Sequence, residues 1–354
     1  MWLCSEHPVR FSVLIAVLIP VVGSVSTSTA EEGGLYLISA FRKAIILNLS
    51  AALVWAITPV LIHYVSAGFP VMFQTFARYL VSLLVLWPLF FSATSGSERA
   101  RIRRRLPYLV PRMALIAVAN FCFQASFTGS LYLVYPGLAM LVYQSTAVFG
   151  VLLGFVLFAD ERPLMREPRF HVGSLLSIVG VVMTVSVGGA GGSTAPAAGI
   201  LLVLSAALSW AVLTAMVRAW LPGFSPFFVN AAVITFVTPL FLVSHLAVHG
   251  PQWAFSASGG LWVVMLLSGL MGIGLGHSLF YRSVPALGVS LSNILQLTRP
   301  FFTALFSFLI FGERLSPLQM VGGALLIAGA YVVTVLRTGE HRPALKTSAA
   351  RAGH

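Results

Sequence analysis

Long runs of apolar residues, each closed by a short polar connection, recur along this chain. Ten of them cover residues 44–65, 69–92, 107–127, 137–158, 171–188, 197–220, 225–248, 260–281, 289–311 and 316–336. At about 1.5 Å of rise per residue, runs of this length cross a hydrocarbon core of roughly 30 Å as helices. They predict ten transmembrane helices. Gly and Pro inside the runs do not argue otherwise, because neighbouring helices can resatisfy the backbone. A shorter apolar run at 11–25, carrying Pro20, has the look of a signal peptide or an extra span. Export of that segment would place Arg42 and Lys43 on the outer side of the first long run, against the bias of basic residues to stay inside. Residues 1–43 are therefore expected to form a surface-lying or poorly ordered leader.

The polar and apolar pattern is written twice. Leu-Ser-Ala-Ala-Leu-Val-Trp-Ala from Leu49 to Ala56 returns as Leu-Ser-Ala-Ala-Leu-Ser-Trp-Ala from Leu204 to Ala211. Phe158-Ala159-Asp160-Glu161-Arg162 is answered by Ile310-Phe311-Gly312-Glu313-Arg314, and Gly173 and Gly180 by Gly322 and Gly329. Such self-similarity marks one unit used twice. The Gly-rich run Gly188 to Ser193 divides the units. The expected organisation is a leader at 1–43, a first five-helix repeat at 44–188, a linker at 189–196, a second repeat at 197–336 and a basic tail at 337–354. Five crossings per repeat make the second enter from the opposite face. The predicted fold is thus an all-α integral membrane protein, ten transmembrane helices as two inverted five-helix repeats.

Composition agrees, since 58% hydrophobic and 8% charged residues with a mean hydropathy of +0.95 do not describe a water-soluble domain. The net charge of +12 could suggest nucleic acid, but its placement points elsewhere. Arg42, Lys43, the five arginines between Arg99 and Arg105, Arg162, Arg166, Arg169, Arg218, Arg282 and the tail residues all fall on one side of the predicted bundle. Arg314 is the exception. This side is expected to be cytoplasmic, with both bundle termini there and the basic clusters facing anionic lipid headgroups rather than nucleic acid. Cys4 and Cys122 offer neither a disulfide framework nor a metal-ligand spacing, so no metal and no cofactor is expected.

The ten runs, the five-plus-five repeat, the Ser-Ala-Ala-Leu-x-Trp-Ala phrase opening each half and the Glu-Arg pair after the fourth and ninth runs resemble the drug/metabolite transporter superfamily, particularly its EamA-type members. The resemblance covers about 44–336. It implies a carrier with a central cavity between its halves, moving small metabolites or amino acids across the inner membrane, with export as the family's usual direction. The multidrug branch of that superfamily relies on a glutamate within the first helix. Residues 44–65 contain no carboxylate, which argues against cation efflux.

Charges at bilayer depth are costly and mark function by default. Arg78 lies about ten residues into the second run and Arg299 about eleven into the ninth, each roughly 14 to 16 Å deep. No carboxylate lies inside a run to neutralise them. Neither arginine is repeated, since Arg78 aligns with Val233 and Arg299 with Ala147, as expected of residues serving an asymmetric substrate. Pro300 is expected to bend its helix beside Arg299. Arg78 could instead satisfy carbonyls of a neighbouring helix. Trp55, Trp210, Gln74, Tyr143, Asn293 and Gln296 are candidate substrate contacts whose alternative role is packing or interhelical hydrogen bonding. The repeated pairs Trp55 with Trp210 and Gln144 with Gln296, like Glu161 with Glu313, lean towards structure. His63 and His277 are candidates for proton coupling.

No nucleophile with a base, metal cluster or acid pair suggests an enzyme. The expected function is a secondary transporter for a small anionic or zwitterionic metabolite or amino acid. A lipid flippase, a passive channel and a sugar-phosphate-type exchanger stay open. The expected partners are a small-molecule substrate and membrane lipids, and the oligomeric state is not fixed, leaving a homodimer open.

Overall fold

In a computed structural model of the chain, residues 33–159, 167–186, 196–251 and 257–339 are described, and all regular structure among them is helical. The leader up to residue 32, the Asp160-Glu161-Arg162 sequence, the Gly-rich run and the tail from residue 340 lie outside the described residues. The first half contains α1 (Gly33–Val65), α2 (Val71–Ala93), a short α3 (Gly96–Arg104), α4 (Leu106–Ser130), α5 (Pro136–Tyr143) with α6 (Thr146–Leu157), and α7 (Pro168–Val185). The second half contains α8 (Ala197–Trp220), α9 (Pro226–His249), α10 (Gly259–Gly269) running through a π-helical turn (Leu270–Leu275) into α11 (Gly276–Gln296), then α12 (Arg299–Phe311) and α13 (Pro317–Gly339). Among the described residues nine helices are long and apolar enough to cross a membrane, and Pro317–Val332 of α13 adds a shorter apolar stretch. Within α11 the chain turns at Gly288, where φ of 75° separates the eighth crossing from the ninth. Only glycine adopts that conformation without strain.

The crossings pair as a two-fold relation between halves requires. α1 packs on α11 and α8 on α4, so the first helix of each half lies against the third of the other, while α2 packs on α9 and α7 on α13, each against its own counterpart. Large aliphatic side chains such as Leu84 and Val248, about 70% exposed, cover the outside of the bundle. In water such a surface would aggregate; against lipid tails it is solvated.

On the face that carries the basic connections, hereafter the basic face, α3 joins the halves. The Ser95 side chain caps α3 by accepting from the Glu98 N–H at 3.2 Å, and Glu98 Oε1 accepts from the Ser225 N–H at 3.0 Å, at the start of α9. Arg101 donates to the Gly223 carbonyl at 2.6 Å and lies 5.0 Å from the Phe224 ring centre. A carboxylate at a helix N-terminus meets unpaired N–H groups and the positive end of the helix dipole, which favours this contact.

Helices in lipid gain no hydrophobic attraction for each other, so they adhere where small residues let backbones meet. The repeated glycines supply that surface in the α7 and α13 pair. A Cβ at Gly180 would lie 2.5 Å from the Gly322 carbonyl oxygen and 2.5 Å from the Leu326 nitrogen, both backbone atoms that cannot step aside. Gly150 in α6 has nothing within 4 Å of the same position. Gly180→Val is expected to lower thermal stability by about 1–3 kcal/mol or more, the range for overpacking, whereas Gly150→Ala leaves it unchanged. Melting of the two detergent-solubilised variants checks this; equal melting temperatures would contradict the seam.

Candidate functional site

Two crossings lose regular helical geometry at matching depths. Between α5 and α6, the Gln144 and Ser145 N–H groups bond back three residues, to Leu141 at 3.1 Å and Val142 at 3.0 Å. Between α11 and α12, the Leu297 and Thr298 N–H groups do the same, to Ile294 at 3.0 Å and Leu295 at 3.3 Å. Counting back from the repeated Glu-Arg pair, Gln144 and Gln296 hold equivalent positions. Such tightened turns inside a helix leave carbonyls without their usual partner. Side chains take them up: Thr146 donates to the Tyr143 carbonyl at 2.6 Å, Thr298 to Leu295 at 2.7 Å, and Arg299 Nε to Gln296 at 3.2 Å. The expected bend at Pro300 is thus a break two residues earlier. Pro300 sits in the first turn of α12, where its missing N–H costs nothing.

The π-helical turn is the third irregularity, and it turns the Gly272 carbonyl outwards. That oxygen accepts from Trp55 Nε1 at 2.7 Å, and His277 Nδ1 lies 3.3 Å from it. The Trp55 ring meets the edge of His277 at 5.0 Å and Phe280 at 5.4 Å, and the Arg299 guanidinium carbon stands 5.5 Å from its centre, within cation–π range. Tyr143 and His277 lie within electrostatic reach of Arg299. Trp55, Tyr143, His277 and Arg299 therefore converge from the first, fourth, eighth and ninth crossings. Towards the basic face this cluster has a polar floor. Gln296 Nε2 donates to Asn48 Oδ1 at 2.8 Å, and Asn48 Nδ2 donates to Ser283 Oγ at 2.8 Å.

The far face has a roof. His63 Nδ1 lies 2.5 Å from the Leu131 carbonyl, and its ring packs against Phe311 at 4.7 Å and Tyr135 at 5.1 Å. Beside it, Glu313 from the second half caps α5 of the first, its two carboxylate oxygens accepting from Gly137 N–H at 2.8 Å and Leu138 N–H at 2.9 Å. Burial pushes the Glu313 carboxyl above the usual carboxylate range, against the opposing pull of those two donors.

A second polar group lies between α2 and α4. Tyr79 donates to Asn120 Oδ1 at 2.8 Å; Gln74 Nε2 donates to Tyr132 Oη at 2.6 Å, and Tyr132 donates in turn to the Phe69 carbonyl at 2.5 Å. Arg78 lies between these bonds, 2% exposed.

The sequence candidates thus divide. Trp55, Tyr143, His277 and Arg299 come together, with Gln296 in the floor beneath them; Gln74 and Arg78 join the second group; His63 belongs to the roof. Trp210 packs among apolar side chains, 4.9 Å from Phe123, and Asn293 is exposed, so neither joins a polar cluster. Asn48, Ser283 and Tyr132 were not singled out by sequence. Asn48 is an ordinary polar residue in an apolar run, and Ser283 and Tyr132 lie in connections, where depth gives no signal. Among the described residues no three His, Cys, Asp or Glu side chains group to hold a metal.

Comparison with known proteins gives a consistent result. Residues 42–186 and 197–335 each match the EamA-like transporter family. An uncharacterised transporter of Haemophilus influenzae is 23% identical over 288 residues, covering 77% of this chain and 94% of its own length. A protein of Salmonella typhimurium described as a probable amino-acid metabolite efflux pump is 26% identical over 309 residues, 82% of this chain and 94% of its own. One solved crystal structure superposes with a TM-score of 0.58 at 19% identity, over 83% of this chain and 97% of the other.

The roof yields a prediction with a definite sign. An acid whose pKa is raised by burial holds its proton more tightly there than in water. Packing of Glu313 under the roof is therefore favoured as pH falls through the interval between the ordinary and the raised value, and this advantage is lost as pH rises above it. Spin labels at the exposed positions Ala67 and Leu318 should report a larger short-distance population at the lower pH. In Glu313→Gln, a neutral isostere of the protonated acid, that pH response should vanish with the short-distance population kept. An unaltered pH response in the variant would remove Glu313 from the roof's control.

Proposed function

This chain belongs to the EamA-like transporter family, and on that premise we propose that it is a secondary carrier that moves a small anionic or zwitterionic metabolite, such as an amino acid, by alternating access. The observation that carries the reading is Arg299. It is a permanent cation at the N-terminal end of a half-helix, beside a break at bilayer depth, with an indole face, a phenol and an imidazole around it. Among the described residues no carboxylate lies inside the membrane-crossing helices to neutralise it. Discontinuous helices near the midplane are where carriers with inverted repeats hold substrate, and helix N-termini favour anionic groups. A carboxylate or phosphate meeting Arg299 would supply the missing countercharge.

The roof and the floor support the alternating part of the reading. Each includes specific polar contacts that water can replace, beside apolar packing such as that of Phe311 against the Ile57, Val60 and Leu61 cluster. Export is the proposed direction, supported by the name of the Salmonella relative. The proposed location is the cytoplasmic membrane with the basic face inward, supported by the one-sided placement of Lys and Arg.

Arg299→Gln keeps a hydrogen-bonding side chain and removes the charge. Transport of an identified anionic or zwitterionic substrate by the folded variant should fall about ten- to hundred-fold, as for loss of a charge-assisted hydrogen bond worth about 1.5–3 kcal/mol. Rates measured in proteoliposomes check it; transport at the unaltered rate would sink the assignment.

A further inference from the structure

The Arg78 group contains more unanswered polar atoms than an interhelical network needs. Nε and Nη1 of Arg78 are buried and meet no acceptor among the described residues. The same holds for the acceptor Oε1 of Gln74, for Oε1 of Gln124 and for Oγ1 of Thr128. The amide orientations follow from their partners. Tyr132 gives its single hydroxyl proton to Phe69, so it can only accept from Gln74, which must present its nitrogen there and its oxygen elsewhere. Tyr79 gives its proton to Asn120, so Gln124, its other partner, must likewise donate with nitrogen and leave oxygen free.

These atoms share one place. Gln74 and Arg78 lie one turn apart on α2, and Gln124, Thr128 and Tyr132 lie on successive turns ending just past α4. The antiparallel register that pairs Gln74 with Tyr132 sets Arg78 opposite Thr128, with the pair of Tyr79 and Gln124 on its other side. Arg78 is within electrostatic reach of both tyrosines. Its backbone packs on Gly269, where an added Cβ would come 2.8 Å from the Arg78 Cα, one turn from the Gly272 that holds Trp55. Side chains on a helix lean towards its N-terminus, which for α2 is the far face, so the guanidinium points away from the Arg299 cluster.

A buried set of two cationic donors and three neutral acceptors, left unpaired, is costly in the empty protein. It matches a ligand carrying an anionic acceptor and N–H donors within a few ångströms of each other. We propose that the Arg78 group is a second binding station, on the far side of the Arg299 site, for an α-amino-carboxylate head group: the carboxylate on Arg78 and the ammonium on the Gln74, Gln124 and Thr128 oxygens. This rests on the carrier reading and adds to it a ligand class and a second stop along the path. A plain carboxylate would leave the oxygens unanswered, an amine the guanidinium, and a phosphate would bring no N–H donor.

The test is thermal stabilisation of the full-length protein in nanodiscs by each standard L-amino acid, repeated for any that stabilises with its deaminated acid and its decarboxylated amine. The expected result is a stabilising amino acid whose two truncated analogues bind at least about ten-fold more weakly, each having lost a charged partner. Arg78→Met should cut the response to the share that the Arg299 site carries while melting at or above the unliganded wild type, because it removes an unpaired buried charge. A structural arginine would give the opposite shift. Thr128→Val, close to isosteric, should weaken the response by up to about ten-fold without unfolding the protein. Arg299→Gln should keep the share of the response that Arg78 carries while losing exchange. Stabilisation that is undiminished in Arg78→Met, is shared equally by the plain acid, or is absent for every amino acid overturns the station. A response lost in Arg299→Gln and kept in Arg78→Met would also overturn it and leave the carrier standing. Absence of any exchange by the wild type would instead remove the reading beneath both.

Discussion

A guanidinium cannot give up its charge, and a bilayer interior offers it no water. That constraint organises this structure. Placing an arginine at the centre of a lone membrane helix costs about 2.5–3.5 kcal/mol on insertion scales, and this chain carries two without an acidic partner in its membrane-crossing helices among the described residues. Around Arg299 the protein compensates with features a regular helix cannot supply. Pro300, which has no N–H, leaves the Gln296 carbonyl to Nε, and the π-helical turn presents the Gly272 carbonyl, which anchors Trp55 with its ring centre 5.5 Å from the guanidinium carbon. On the proposed reading the substrate supplies the countercharge, and stability given up at this point is recovered on binding.

The same economy appears at the two faces. A carboxylate from one half caps a helix of the other: Glu98 meets the start of α9 on the basic face and Glu313 the start of α5 on the far face. Between them the glycine seam of α7 and α13 brings the two halves into backbone contact. A rigid seam with small polar clasps at either end suits halves that rock on each other, since a clasp can be released without unpacking a core.

Much of this architecture was legible in the sequence because membrane physics leaves few choices. Apolar length set the crossings, the repeated phrases set the two-fold relation, and the depth of Arg78 and Arg299 marked them as unusual. What escaped was local asymmetry between identical phrases. Trp55 and Trp210 occupy the same position in their repeats, yet Trp55 faces the glycine-rich eighth crossing with its exposed carbonyl, whereas Trp210 faces Phe123 on the regular helix α4. The difference lies in the partner helix, not in the phrase. Tyr132 escaped for a related reason: its importance comes from a bond to Gln74 across 58 positions, and periodicity carries no trace of such a pairing. Glu313 was legible as a repeated residue, but its contact with Gly137 and Leu138 is tertiary.

The central claim is that the buried cation selects what passes. Its most direct test is exchange by the wild-type protein in proteoliposomes loaded with a mixed pool of amino acids, organic acids, sugar phosphates and organic cations, with each species followed by mass spectrometry. Selective, saturable loss of species bearing a carboxylate or phosphate is the result this account predicts. Loss of organic cations alone would contradict it, and unselective loss of every solute would make the protein a pore rather than a carrier.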